Sequence, residues 1–164
     1  LPVNCFTMAL TTFVSQNLGA KEYERAKKGA RFGILCSISI AELIGIVIYA
    51  AAPLLISAFN SDPDVVAYGA AQARTVTLFY FLLAFSHCIA AILRGSGKSA
   101  IPMVVMLCVW CILRVTYITV TVHFIPDIRV VFWAYPLTWS ISSAIFLVLF
   151  LRGKWVYGFE KRKD

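Results

Sequence analysis

Long apolar runs alternate along the chain with short polar and charged segments. Four runs have the length of a membrane-spanning helix, about 20 residues: residues 32–59, 75–93, 100–125 and 130–151. A shorter apolar stretch runs from residue 1 to Val14. Barrel strands are about 10 residues long and alternate apolar with polar side chains, which these runs do not. Because a helix is the only other structure that satisfies its backbone hydrogen bonds in lipid, the pattern predicts an all-α bundle.

We predict a polytopic transmembrane helix bundle of about five helices, the first of them partial. The bundle covers residues 1–151, with approximate spans at 1–17, 32–57, 73–93, 100–123 and 130–151. Residues 152–164 form a basic tail. Because the chain begins at Leu1, with no basic segment before its first apolar stretch, we expect that stretch to be the second half of a helix from a larger protein.

The polar segments between the runs carry signals for helix starts. Ser61 or Asp62 is expected to cap the helix that follows, and Pro63 suits its first turn. In the charged segment 21–31, Glu24 and Lys28 are spaced i,i+4, which predicts a short surface helix.

Composition excludes a water-soluble globular protein. Of the 164 residues, 60% are hydrophobic and 14% are charged, and the mean hydropathy is +0.81. Soluble domains carry about 25% charged residues, so a soluble fold of this length could not hide so much apolar surface. The lipid bilayer is therefore a predicted partner.

The net charge of +7 indicates topology and not nucleic-acid binding, because no basic face is interleaved with base-stacking aromatic residues. Twelve Lys and Arg residues fall in segment 21–31, the turn 94–99 and the tail, on one side of the bundle. Only Arg74 and Arg129 fall on the other side. Basic residues stay in the cytosol, so we predict a multi-pass protein of the plasma membrane with a cytoplasmic C-terminus.

Aromatic residues lie near both ends of the last span. Trp133, Tyr135 and Trp139 fall near its outer end, and Trp155 and Tyr157 near its inner end. This placement predicts aromatic belts at the two membrane interfaces.

Three ionisable residues inside the predicted spans are candidates for a cation or substrate pathway. An acidic group at the bilayer centre costs about 2.5–3.5 kcal/mol on insertion scales, so Glu42 is expected to face a cavity or a partner. We hypothesise that Glu42 pairs with His87 or Arg114 inside the bundle. A structural role for each of the three, as a hydrogen bond or an ion pair between helices, remains open.

The sequence offers no enzyme site, metal site or resident cofactor. The five cysteines lie in apolar runs, and the pair Cys108 and Cys111 has no second pair or nearby histidine to complete a zinc site. The stretch 95–99 is similar to a nucleotide-binding loop, but Ile92 stands where that motif needs its first glycine.

Two stretches resemble one family. Residues 11–20, Thr-Thr-Phe-Val-Ser-Gln-Asn-Leu-Gly-Ala, followed by Arg-Ala-Lys-Lys-Gly at 25–29, resemble the pattern that closes the second helix of each half in multidrug and toxin extrusion (MATE) transporters. The turn 93–97, with Pro102 after it, resembles the family's turn after the fourth helix of a half. The motif residues, expected to be structural, are Gln16, Asn17, Gly19, Arg94, Gly95 and Gly97.

The resemblance implies that the chain is the C-terminal part of a twelve-helix, two-lobe transporter, from part of helix eight to helix twelve. It implies export of cationic or amphipathic small molecules, coupled to inward Na⁺ or H⁺, with the missing N-terminal lobe as an obligatory partner. Some branches of the family carry a carboxylate on the tenth helix, and Leu83 stands at that position here.

Two other functions remain open. One is a lipid-linked oligosaccharide flippase of a related fold, although such flippases tend to carry several cationic residues facing the cavity, and here only Arg114 is a clear candidate. The other is a membrane scaffold subunit that does not transport.

Overall fold

The computed structural model describes residues 2–157, which form six helices and no strand. The helices are α1 Pro2–Gly19, α2 Tyr23–Ser57, α3 Pro63–Thr77, α4 Tyr80–Gly95, α5 Ala100–Phe124 and α6 Arg129–Leu151. Within these residues, α2, α5 and α6 are each long and apolar enough to cross a membrane, and α3 with α4 would make a fourth, bent span. The predicted all-α membrane bundle is confirmed.

The region predicted as one span at 73–93 is broken in the structure. Helix α3 ends at Thr77, α4 begins at Tyr80, and the two axes differ by 52°. No proline or glycine stands at the break, so its cause is tertiary. Helix α2 packs there through Gly45, where a Cβ atom would lie 2.9 Å from the carbonyl oxygen of Thr77.

Helix α2 is continuous from the charged segment into the bilayer, where the sequence predicted a separate surface helix. Its 35 residues extend about 50 Å at ~1.5 Å per residue, well beyond a hydrocarbon core of about 30 Å. The first turns therefore project from the membrane. There Lys27 Nζ donates to Glu24 Oε1 at 2.9 Å, and this hydrogen bond and charge lower the pKa of the Glu24 carboxyl.

Helix ends follow local chemistry. Asp62 caps α3, as predicted, because its carboxylate accepts from the backbone N–H of Asp64 at 2.9 Å, with Pro63 in the first turn. Helix α4 ends in a turn that needs Gly97, whose φ of +80° belongs to the left-handed region. After α1, Lys21 takes a similar conformation with φ +61°.

Helix α4 is the centre of the bundle and packs against α1, α2 and α6. Its residues 88–93 are all buried. At its end, a Cβ on Gly95 would lie 2.6 Å from the carbonyl oxygen of Thr11, so only glycine allows α1 this close. Ser86 bonds Ser142 and Ser143 of α6 at 3.1 and 2.8 Å, which joins the two helices by polar contacts away from lipid.

Candidate functional site

Arg114 lies on α5, inside the predicted membrane span, and its side chain contacts α6. Its Nε and Nη2 atoms both donate to Thr138 Oγ1, at 3.2 and 2.7 Å. Its guanidinium carbon stands 4.6 Å from the ring centroid of Tyr135 and 5.5 Å from that of Trp110. Thr138 is fully buried and donates in turn to the carbonyl of Ala134 at 2.9 Å. The cation is therefore held by two aromatic faces and a fixed hydroxyl.

Trp110 connects Arg114 to His87. Its ring meets the His87 ring edge-on, with 5.3 Å between the centroids. Its indole Nε1 is buried and finds no hydrogen-bond partner within residues 2–157. Trp110 also lies in a π-helical segment of α5, Leu107–Leu113, directly before Arg114. Such segments are rare and occur frequently at functional sites.

His87 also lines a cavity of about 470 Å³ between α1, α2 and α4. The cavity walls are mainly aliphatic, and Asn4 and Tyr80 add polar groups. Leu83 belongs to the same wall. The volume falls in the range of small-molecule sites, about 300–1,000 Å³, and mixed apolar and polar lining is typical of them.

Glu42 occupies a separate place. It lines a small pocket of about 110 Å³ beside Thr77 and Leu78, at the break between α3 and α4. Its Oε2 atom is buried and has no hydrogen-bond partner within residues 2–157. A carboxyl group in this position is available to bind a proton or a cation.

The hypothesis that Glu42 pairs with His87 or Arg114 is wrong. No hydrogen bond or ion pair joins Glu42 to either residue in the part of the chain that the structure describes. The reason is helical geometry, since successive side chains point about 100° apart. Ala41 faces the cavity that holds His87, so the next residue faces the α3–α4 break.

The aromatic residues predicted to form membrane belts differ in their exposure, and Trp155 at the inner end is only 3% exposed. Tyr135 covers the Arg114 guanidinium, and Trp139 is only 5% exposed and lies against Tyr80 at a centroid distance of 6.2 Å. Trp133 is 54% exposed, as a belt residue would be.

The sequence held a signal for only one of the Arg114 contacts. Trp110 and Arg114 are spaced i,i+4, which indicates a contact on one helix, but nothing in the sequence pointed to Tyr135 or Thr138 as the facing residues.

The motif residues differ in their surroundings. Asn17 Nδ2 donates to the carbonyl of Phe13 in its own helix at 2.7 Å, while Gln16 is exposed. A Cβ on Gly19 would meet nothing within 4 Å, in contrast to Gly95. Arg94 is exposed at the end of α4.

Apolar helices of membrane-spanning length, with ionisable groups between them, are typical of a polytopic membrane protein. Comparison with known proteins agrees. The sequence profile of the MatE family matches residues 1–120, and the chain belongs to this family.

Three relatives carry names of drug-extrusion proteins. The chain is 28% identical to the "Probable multidrug resistance protein NorM" of Thermotoga maritima, over 99% of this chain and 34% of that protein. It is 26% identical to the "Probable multidrug resistance protein YoeA" of Bacillus subtilis, over 99% of this chain and 34% of that protein. It is 28% identical to "Multidrug and toxin extrusion protein 1" of Xenopus tropicalis, over 84% of this chain and 24% of that protein. The chain thus spans about a third of the length of the first two relatives.

Proposed function

We infer that the whole protein containing this chain is a secondary active exporter of drugs or other amphipathic and cationic compounds. The names of the relatives support the substrate class. Secondary transporters bind their substrate between two repeated bundles that move against each other, so this chain acts together with the missing N-terminal lobe. The distribution of basic residues supports a place in the plasma membrane with the C-terminus in the cytosol.

The proposal of cation-coupled antiport depends on one observation, the buried Oε2 atom of Glu42, which is unpaired within residues 2–157. An intramembrane carboxyl group whose buried oxygen has no protein partner is unusual, and such groups mark ion and proton pathways. It stands beside a broken helix, and broken helices bind the coupling ions of many secondary transporters. Arg114 remains charged at all relevant pH values, so it orients charge but does not carry a proton.

Coupling by Glu42 makes a direct prediction for the full-length protein. Cells that lack their own drug pumps and express Glu42→Gln should lose most of the wild-type resistance to an exported dye such as ethidium. Efflux measured in everted membrane vesicles should no longer respond to an imposed proton or Na⁺ gradient. The matched control is Glu22→Gln, which makes the same chemical change at an exposed position outside the span and should behave as wild type.

The outcomes separate coupling from export. If wild-type protein gave no more resistance than the empty vector, the exporter proposal would fail and the result would support the scaffold function. If Glu42→Gln protein, present in the membrane at wild-type amounts, kept gradient-driven efflux, export would stand and the role of Glu42 in coupling would be wrong.

A further inference from the structure

A small basic pocket lies at the membrane end where α2 begins and α6 finishes. It has a volume of about 130 Å³. Lys27 and Arg31 of α2 form one wall, and the segment from Leu151 to Val156 forms the other. This basic pocket shares no lining residue with the pockets that His87 and Glu42 line, and it has no part in the proposed coupling.

The wall after α6 is an ordered surface. Trp155 is 3% exposed and stacks on Phe150, with 5.5 Å between the ring centroids and 14° between the planes. The Tyr157 ring stands 5.5 Å from that of Tyr23 at the start of α2. The Nζ atom of Lys98 donates to the carbonyl of Lys154. The segment is therefore held against the bundle at several points.

The charge of the basic pocket is only partly compensated. Lys27 is paired with Glu24 at 2.9 Å. Arg31 forms no ion pair within residues 2–157 and is exposed. Its planar guanidinium is suited to bidentate contacts with phosphate oxygens. The pocket therefore favours an anion, and phosphate best matches the donor.

Apolar side chains adjoin the charged rim. Leu151, which lines the pocket, is 72% exposed, and Leu35, one turn along α2 on the same face as Arg31, is 65% exposed. A free phosphate ion makes no favourable contact with exposed leucine side chains, whereas a phospholipid carries a phosphate and acyl chains side by side. Basic pockets between helices at the membrane boundary are suited to anionic lipid headgroups.

We propose that the basic pocket binds one anionic phospholipid, with its phosphate on Arg31 and Lys27 and its acyl chains along Leu35 and Leu151. The bound lipid covers exposed apolar surface and neutralises Arg31. The site concerns lipid recognition and stands whether or not the protein exports drugs.

The test is lipid titration of the purified full-length protein in detergent, followed by native mass spectrometry. The probes are phosphatidylglycerol and phosphatidylcholine with identical acyl chains. Arg31→Gln should weaken binding of the first phosphatidylglycerol about fivefold, the effect expected for one basic residue near the surface. Arg31→Lys should keep most of the affinity. The matched control Arg25→Gln removes an exposed charge from another face of α2 and should leave the affinity unchanged.

Three results would overturn the proposal. Equal losses in Arg31→Gln and Arg25→Gln would indicate diffuse attraction by the whole basic side. Equal binding of phosphatidylcholine and phosphatidylglycerol would exclude selection by charge. Displacement of phosphatidylglycerol by inorganic phosphate or glycerol phosphate at similar concentrations would identify a soluble phosphate as the ligand. Because Arg31 is exposed, the variants should fold, and an unchanged melting temperature checks this.

Discussion

At the scale of single residues, the surroundings of Arg114 show how a cation is accommodated within a membrane bundle. No carboxylate reaches it in the part of the chain that the structure describes. The Thr138 hydroxyl accepts two of its N–H groups, and the rings of Tyr135 and Trp110 lie against the guanidinium. The positive charge is thus retained at the junction of α5 and α6 without an acidic partner from these helices.

The Thr138→Val variant measures how much the stability of the protein depends on the hydrogen bonds between Arg114 and Thr138. Valine has the same shape but removes the acceptor of Arg114 Nε and Nη2, and a hydrogen bond to a charged group contributes about 1.5–3 kcal/mol. We expect a lower melting temperature for the full-length protein in detergent. Thr138→Ser, which keeps the hydroxyl, should lie close to wild type, as should Thr116→Val at an exposed site on α5. A Thr138→Val protein as stable as wild type would show that Arg114 has another acceptor.

At the scale of helices, close approach of backbones determines the packing around α4. Small residues allow this in membranes, where there is little hydrophobic driving force between helices. Gly95 lets α1 approach α4 through the Thr11 carbonyl, and Gly45 lets α2 approach the end of α3. The Gly45 contact lies at the α3–α4 break, and Gly45 and Glu42 line the same small pocket there. Helix packing and the candidate coupling group therefore meet at this break.

Gly95→Ala and Gly19→Ala form a matched pair within the family motifs. The added methyl at Gly95 would stand 2.6 Å from a backbone oxygen, which cannot move away cheaply, whereas at Gly19 it would meet nothing within 4 Å. We expect Gly95→Ala to destabilise the full-length protein by about 1–3 kcal/mol and Gly19→Ala to have little effect. Thermal unfolding in detergent measures both. Equal stability of the two variants would contradict the packing at the α1–α4 contact.

At the scale of the whole molecule, the outer surface is unlike that of a soluble protein. Large apolar residues on α2 and α5 are widely exposed, such as Phe32 at 70% and Val115 at 63%. Lipid is the surrounding that suits such surfaces. The turn after α4 lies beside the segment after α6, where Lys98 Nζ donates to the carbonyl of Lys154, and the turn before α6 lies beside Tyr68 of α3.

Membrane sidedness can be tested with single cysteines in a cysteine-free full-length protein. Ser61 lies in the turn before α3, and Ser99 in the turn before α5, and both are exposed. In intact cells, a membrane-impermeant maleimide should label Ser61→Cys. It should label Ser99→Cys only after permeabilisation, because the proposed topology, which follows from the distribution of Lys and Arg, has the basic turn in the cytosol. The reverse pattern would invert the proposed topology and place the C-terminus outside.

The amino-acid pattern was sufficient for the fold class and for the cap at Asp62. These depend on near neighbours in the sequence and on the exclusion of polar groups from lipid, both of which can be read residue by residue. The family was also recognisable from local motifs, since Gly95 and Gly97 serve backbone requirements that only glycine meets.

The break at Leu78 and Phe79, the isolation of Glu42 and the aromatic surroundings of Arg114 required the folded structure. Each depends on which face of one helix meets which face of another. Helical periodicity assigns Ala41 and Glu42 to different directions, but it does not say which helix stands in either direction. The interhelical partners arise from packing among residues far apart in the chain, as between Arg114 and Thr138, and no local signal encodes them.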